Sequence, residues 1–128
     1  MSLNGDGRTY TRQEKGAAAE QAARMYLTSR GYHIREYNWR CRSGELDIVA
    51  EYEGALVFIE VRSRSGSTVQ GTAEESVDAR KIRQVRETAL VYLHMQGLQP
   101  AAIAFDVIAV QLQPDLSIAS LRHLREAF

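Results

Sequence analysis

Asp47, Glu60 and Arg62 are the residues of this chain whose types and spacing could do chemistry. Glu60 stands inside the apolar run "LVFIEVRSR" (Leu56 to Arg64), where an ionised carboxylate costs several kcal/mol unless something pairs with it or binds it. Glu53-Gly54 just upstream reads as a two-residue hairpin loop, which pairs Tyr52 with Ala55. Counting back from that pair puts Asp47 opposite Glu60 and Glu45 opposite Arg62. Strand alternation places all four on one face. Two facing carboxylates repel, and stay ionised together only around a cation or by sharing a proton. A hard divalent ion, Mg²⁺ or Mn²⁺, weakly held and keeping several waters, suits such a pair. A backbone carbonyl near Val61 is a candidate further ligand. Arg62 on the same face could hold a phosphate or stabilise developing negative charge. That is a layout for metal-assisted phosphodiester hydrolysis. A second reading has equal standing on spacing alone. Glu45 and Arg62 form a cross-strand ion pair, and Arg62 also reaches Asp47 or Glu60, so that Glu60 is satisfied without metal.

The elements that must position these residues are legible. Thr11 to Arg30 reads as a helix, with Thr11 and Glu14 as its capping box, an apolar stripe of Ala19, Ala22, Ala23, Tyr26 and Leu27, and Gly31 at its end. Strands are expected over Tyr32–Arg40, Glu45–Tyr52 and Ala55–Arg64, followed by a polar loop from Ser65 to Thr72. A second helix starts near Ala73 or Val77 and runs to Gln96, burying Val77, Ile82, Val85, Ala89, Tyr92 and Leu93, with Gly97 closing it. Ile103–Leu112 is a fourth strand and Ser117–Leu124 an edge strand. The order α-β-β-β-α-β-β specifies an α/β domain, a mixed sheet of about five strands flanked by two main helices. Residues 1–10 are expected to be a flexible tail and residues 11–128 a single domain.

Sixteen basic and sixteen acidic residues cancel, which argues against indiscriminate coating of nucleic acid but leaves room for a local basic face. The lone Cys41 excludes an internal disulfide and suits a reducing cytoplasm. No apolar run reaches membrane-spanning length, so no membrane partner is expected. Arg80, Lys81, Arg83 and Arg86 form a basic run that is either a solvated helix face or, with Arg40, Arg42 and Arg64, a phosphate-contacting strip. Trp39 reads as a core or edge aromatic. His33, His94 and His123 are scattered and read as structural or surface residues.

The stretches "GAAAEQAARMYLTSRGY", "NWRCRSGELDIVA" and "LVFIEVRSR", followed by "ESVDARKIRQVRETALVYL" and "AFDVIAV", resemble the YraN family from about Gln13 onward. That family is described as predicted endonucleases related to archaeal Holliday-junction resolvases and the PD-(D/E)xK nucleases. The resemblance implies a restriction-endonuclease-like core. It places an acidic helix residue of the site on Glu20, the metal-binding aspartate on Asp47 and the (D/E)-x-K glutamate on Glu60. Glu20, Asp47 and Glu60 are thus the implied metal ligands, with Asn38 and Glu45 in support. The motif lysine position is Arg62, a departure: arginine clamps phosphate but stays protonated and cannot act as a base. Lys81 could replace it if the second helix faces the site. The expected partner is DNA, branched or damaged forms included, read by shape and phosphate. A homodimer is expected by analogy alone. A metal-dependent endonuclease leads. A DNA-binding module that does not cleave and a protein-interaction domain on the same fold are the alternatives.

Overall fold

A computed structural model describes residues 9–65 and 78–128. Helix α1 (Arg12–Ser29) is followed by strands β1 (His33–Cys41), β2 (Gly44–Tyr52) and β3 (Ala55–Ser65). Helix α2 (Ala79–Gln96), β4 (Ala102–Leu112) and β5 (Ile118–Leu124) complete the order α-β-β-β-α-β-β expected from the sequence. The five strands form one mixed sheet in the order β1-β2-β3-β4-β5. β3 and β4 are parallel over their whole length and the other neighbours antiparallel. A parallel pair needs a long crossover, and α2 lies in that connection.

Each helix covers one face. On one side Ala19, Ala23 and Leu27 of α1 pack on Ile48, Ala50, Val57, Ile59, Ile108 and Val110. The two alanines, at helical spacing, bring the helix close to the sheet. On the other side Val85, Ala89 and Tyr92 of α2 pack on Leu46, Val49, Leu56, Phe58 and Phe105. Trp39 joins this second cluster edge-on to Tyr92, ring centroids 5.0 Å apart, so it is an edge-of-core aromatic as expected.

Local signals explain the element ends. Thr11 and Glu14 form the capping box, with Glu14 N–H donating to Thr11 Oγ1 (3.1 Å) and Thr11 N–H to Glu14 Oε1 (2.9 Å). Glu53 (φ 49°) and Gly54 (φ 83°) are both left-handed, the backbone of a two-residue type I′ hairpin turn, and Tyr52 pairs with Ala55. Helix α2 has its own cap at Asp78. Asp78 is extended and its carboxylate accepts from Lys81 N–H at 2.8 Å, so Ala79 is the first helical residue. The expected starts at Ala73 and Val77, and the loop to Thr72 beyond Ser65, lie outside the described residues.

Two features depart from the sequence reading. His123, read from the sequence only as a scattered structural or surface residue, is half-buried and bonded through Nε2 to Oδ2 of the buried Asp106 (2.7 Å) and through Nδ1 to the Tyr26 hydroxyl (3.2 Å). Glu126 N–H donates to the other Asp106 oxygen, so this network fastens β5 and the C-terminal turn to the sheet. The second departure, in β2, shapes the site.

Candidate active site

Side chains in a regular strand alternate between faces. In β2 they do not. Leu46 and Val49, three residues apart, both pack on the α2 side, while Ile48 and Ala50 pack on the α1 side. The alternation slips by one residue at Asp47. On the neighbouring strand Asn38, between the pairs Tyr37↔Ile48 and Trp39↔Leu46, adopts φ 54°, a left-handed conformation that asparagine tolerates better than most residues. The regular β2–β3 pairing follows the expected register from Tyr52↔Ala55 to Ile48↔Ile59, then stops. Past that point Asp47 Oδ2 accepts the N–H of Val61 at 2.9 Å.

Asp47 and Glu60 are therefore electrostatic neighbours at a splayed strand end, beyond the regular pairing that the hairpin count extended to them. Val61 contributes its N–H, which donates to the aspartate. The slip also overturns the pairing of Glu45 with Arg62. Glu45 pairs instead with Arg40 of β1, with Arg40 Nε 2.8 Å from Glu45 Oε2. That removes Arg40 from the free cations, although its side chain stays exposed.

Glu60 is 2% exposed. Two cations approach its Oε1: Lys81 Nζ at 3.5 Å and Arg62 Nη2 at 4.0 Å. Neither is a good hydrogen bond at that range. Among the described residues no hydrogen-bond donor is well placed on Glu60 Oε1, and no acceptor meets the buried Arg62 Nε. The guanidinium is thus not folded over the carboxylates as a close ion pair. Burial first, and Asp47 second, push the Glu60 carboxyl up to about 7. Burial also raises Asp47, against the opposing pull of the Val61 N–H and the Lys81 charge.

Glu20 arrives from the other side of the sheet. It sits one residue after the buried Ala19, which turns it toward the splayed end of β2. Burial and the neighbouring Asp47 push it up to about 7, while Arg24 and a hydrogen bond from Asn38 work against that rise. Among the described residues no donor meets its buried Oε1. Asn38 thus supports Glu20.

Two orphaned carboxylate oxygens beside raised pKa values are what an absent cation would leave, so Asp47 and Glu60, with Glu20 near, fit a hard divalent ion. Among the described residues no three His, Cys, Asp or Glu side chains come together closely enough to cage a metal. The fit is to an ion held by two carboxylates and water, as Mg²⁺ often is.

The cations gather on the α2 side. A cleft of about 720 Å³ is lined by Arg62, Arg80, Lys81 and Arg83, with Ser43, Gln84, Asp78 and Glu87. Lys81 does face the site, because the Asp78 cap fixes the first turn of α2 beside β3. Arg42 is exposed at the β1–β2 turn, and Arg64 is half-buried on β3 and is not among the cleft residues. Arg86 lies over the Phe105 ring, 4.8 Å from its centroid, away from the cleft. Gly44 seats this end of the sheet on α2. A Cβ there would come within 2.9 Å of Thr88 Oγ1 and 3.1 Å of Gln84 Nε2, at φ 149°.

Sequence reasoning missed the Asp106–His123 pair and the Asp78 cap. The cap was visible as an Asp three residues before Lys81. The pair was hidden by an irregularity between Gln111 and Leu112, which shifts the β4–β5 register by one when it is counted back from the turn.

Comparison with known proteins agrees with the stretches singled out in the sequence. Residues 19–110 match the family described as "Uncharacterised protein family UPF0102". The chain is similar to a UPF0102 protein of Moorella thermoacetica, 44% identical over 120 residues covering 94% of this chain and 99% of that one. A UPF0102 protein of Persephonella marina is 44% identical over 96 residues, 75% of this chain and 82% of its own. One from Geotalea daltonii is 36% identical over 126 residues, 98% and 97% of the two chains.

Proposed function

The chain belongs to the UPF0102 (YraN) family, and from the site just described we propose that it is a divalent-metal-dependent phosphodiesterase-type protein acting on DNA. One observation carries the reading: a buried glutamate, Glu60, whose Oε1 is met by its two neighbouring cations only at long range, Lys81 at 3.5 Å and Arg62 at 4.0 Å. A purely structural ion pair would close those distances, since a buried charge pair is tolerated only with good geometry.

Bound Mg²⁺ or Mn²⁺ would supply Lewis-acid stabilisation of the phosphate and a more acidic bound water. The chain's own residues do the rest. Asp47 and Glu60 hold the ion, with Asp47 fixed by the Val61 N–H. Arg62, lining the cleft, clamps a non-bridging phosphate oxygen through its guanidinium. Lys81 supplies the ammonium that Arg62 cannot imitate, 3.5 Å from Glu60, where it orients the attacking water. Arg80 and Arg83 hold the flanking backbone by charge, which makes the DNA read by shape and phosphate, branched or damaged forms included. No helix among the described residues is long and apolar enough to cross a membrane, and a cytoplasmic site of action is part of the proposal.

Thermal melting with and without Mg²⁺ or Mn²⁺ tests the site. The metal should raise the melting temperature of the native chain, because it binds only the folded state. Asp47→Asn and Glu60→Gln should each abolish that rise. A native protein whose melting is indifferent to both metals up to millimolar concentration would remove the metal from the reading.

A further inference from the structure

On the α1 side the chain carries a second groove, of about 630 Å³, lined by Arg24, Met25, Thr28, Ile34 and Tyr37 among others. Tyr37 is 56% exposed and Met25 66% exposed, unusual for large apolar side chains so close to a charged site. The Arg24 guanidinium lies over the Tyr37 ring, 4.1 Å from its centroid. A guanidinium stacked on an exposed tyrosine makes a flat, cationic surface suited to a nucleobase.

The position of the groove selects among occupants. Arg24 follows Glu20 by one helical turn, and Asn38, the hydrogen-bond partner of Glu20, follows Tyr37 in the chain. The groove therefore begins where the candidate site ends. The cationic cleft lies on the opposite face of the sheet, and Asp47 stands between them. Paired DNA in the cleft would leave a strand diverging past Asp47 directed toward Tyr37.

We infer that Tyr37, backed by Arg24, is a stacking platform for an unpaired base, so that the substrate of this site is DNA with a single-stranded branch or tail. This rests on the DNA reading above. Trp39, two residues further along β1, is engaged with Tyr92 instead.

The test measures binding in EDTA, by fluorescence anisotropy, of a blunt duplex and of the same duplex with a single-stranded tail carrying 2-aminopurine. The native chain should prefer the tailed DNA and quench the 2-aminopurine. Tyr37→Ala and Tyr37→Leu should lose roughly five- to hundredfold in affinity for the tailed DNA, the range for removing one base–aromatic stack, and leave the blunt duplex unchanged. Tyr37→Phe should keep both the preference and the quenching. Circular dichroism melts report whether each variant folds, and the leucine variant keeps the apolar bulk. Equal affinity for the two DNAs, or an equal loss on both, overturns the platform and leaves the DNA reading standing. Binding of neither DNA at low salt overturns both. A dimer of the native chain that Tyr37→Leu dissociates, with DNA affinity unchanged, assigns the patch to self-association and also overturns the platform.

Discussion

Replacing Glu60 with glutamine should stabilise the metal-free protein at pH 8. Glu60 is pushed up to about 7 in the folded chain from an ordinary value of 4.5. Between those two values the folded state holds a proton that the unfolded state has released. Stability therefore falls as pH rises through that window, by about 3 kcal/mol if Glu60 titrated alone. Asp47 and Glu60 share the effect, so the figure belongs to the pair more than to one residue. Glutamine keeps the shape and removes the charge. The native protein in EDTA should lose melting temperature from pH 5 to pH 8, by roughly 10 °C for 3 kcal/mol in a domain of this size. Glu60→Gln should flatten that slope and melt higher than the native chain at pH 8. The competing picture, in which Lys81 and Arg62 satisfy Glu60 as a buried salt bridge, makes the opposite forecast. There, glutamine strands two cations and costs about 3–5 kcal/mol. A Glu60→Gln protein less stable than native at pH 8 in EDTA would refute the reasoning.

Further outcomes follow from the geometry. In a Mg²⁺ or Mn²⁺ cleavage assay the native chain should cleave DNA only slowly, Arg62→Lys should cleave it faster, and Lys81→Met should cleave it roughly 10²–10⁴-fold more slowly if its ammonium orients the water. Gly44→Ala should destabilise by about 1–3 kcal/mol in denaturant melts, since its Cβ would meet Thr88 Oγ1 at 2.9 Å and the backbone is left-handed there. Glu53→Gly should stabilise by up to about 1 kcal/mol, because a glutamate at φ 49° carries the left-handed penalty that glycine does not.

What the sequence made legible tracks how local the cause was. Both helices and the Glu53-Gly54 turn follow from hydrophobic period and one turn type, and the structure has them. Glu45 was placed wrongly because strand counting assumes unbroken alternation. The slip at Asp47 depends on Asn38 of the adjacent strand, which no reading of β2 alone contains. Lys81 could be named as a candidate, but whether it faced Glu60 depended on where the second helix began. The bond that decides this, from Lys81 N–H to Asp78, is local and was overlooked. His123 and Asp106 are far apart in the chain, and a register shift between them hid their meeting.

A sheet is ordinarily an insulator between the two layers it separates, with side chains of one face out of electrical reach of the other. At Asp47 this sheet is not. Glu20, on the α1 side, feels Asp47; Asp47 feels Lys81 and Arg62; and Glu60, on the α2 side, feels Asp47 in turn. The slipped residue acts as a contact through the wall. A charge gained or lost near α1 must then shift proton occupancy beside α2, and by thermodynamic reciprocity the reverse holds with the same free energy. DNA phosphates entering the cleft would thus be registered at Glu20, across the sheet, with no strand or helix having moved.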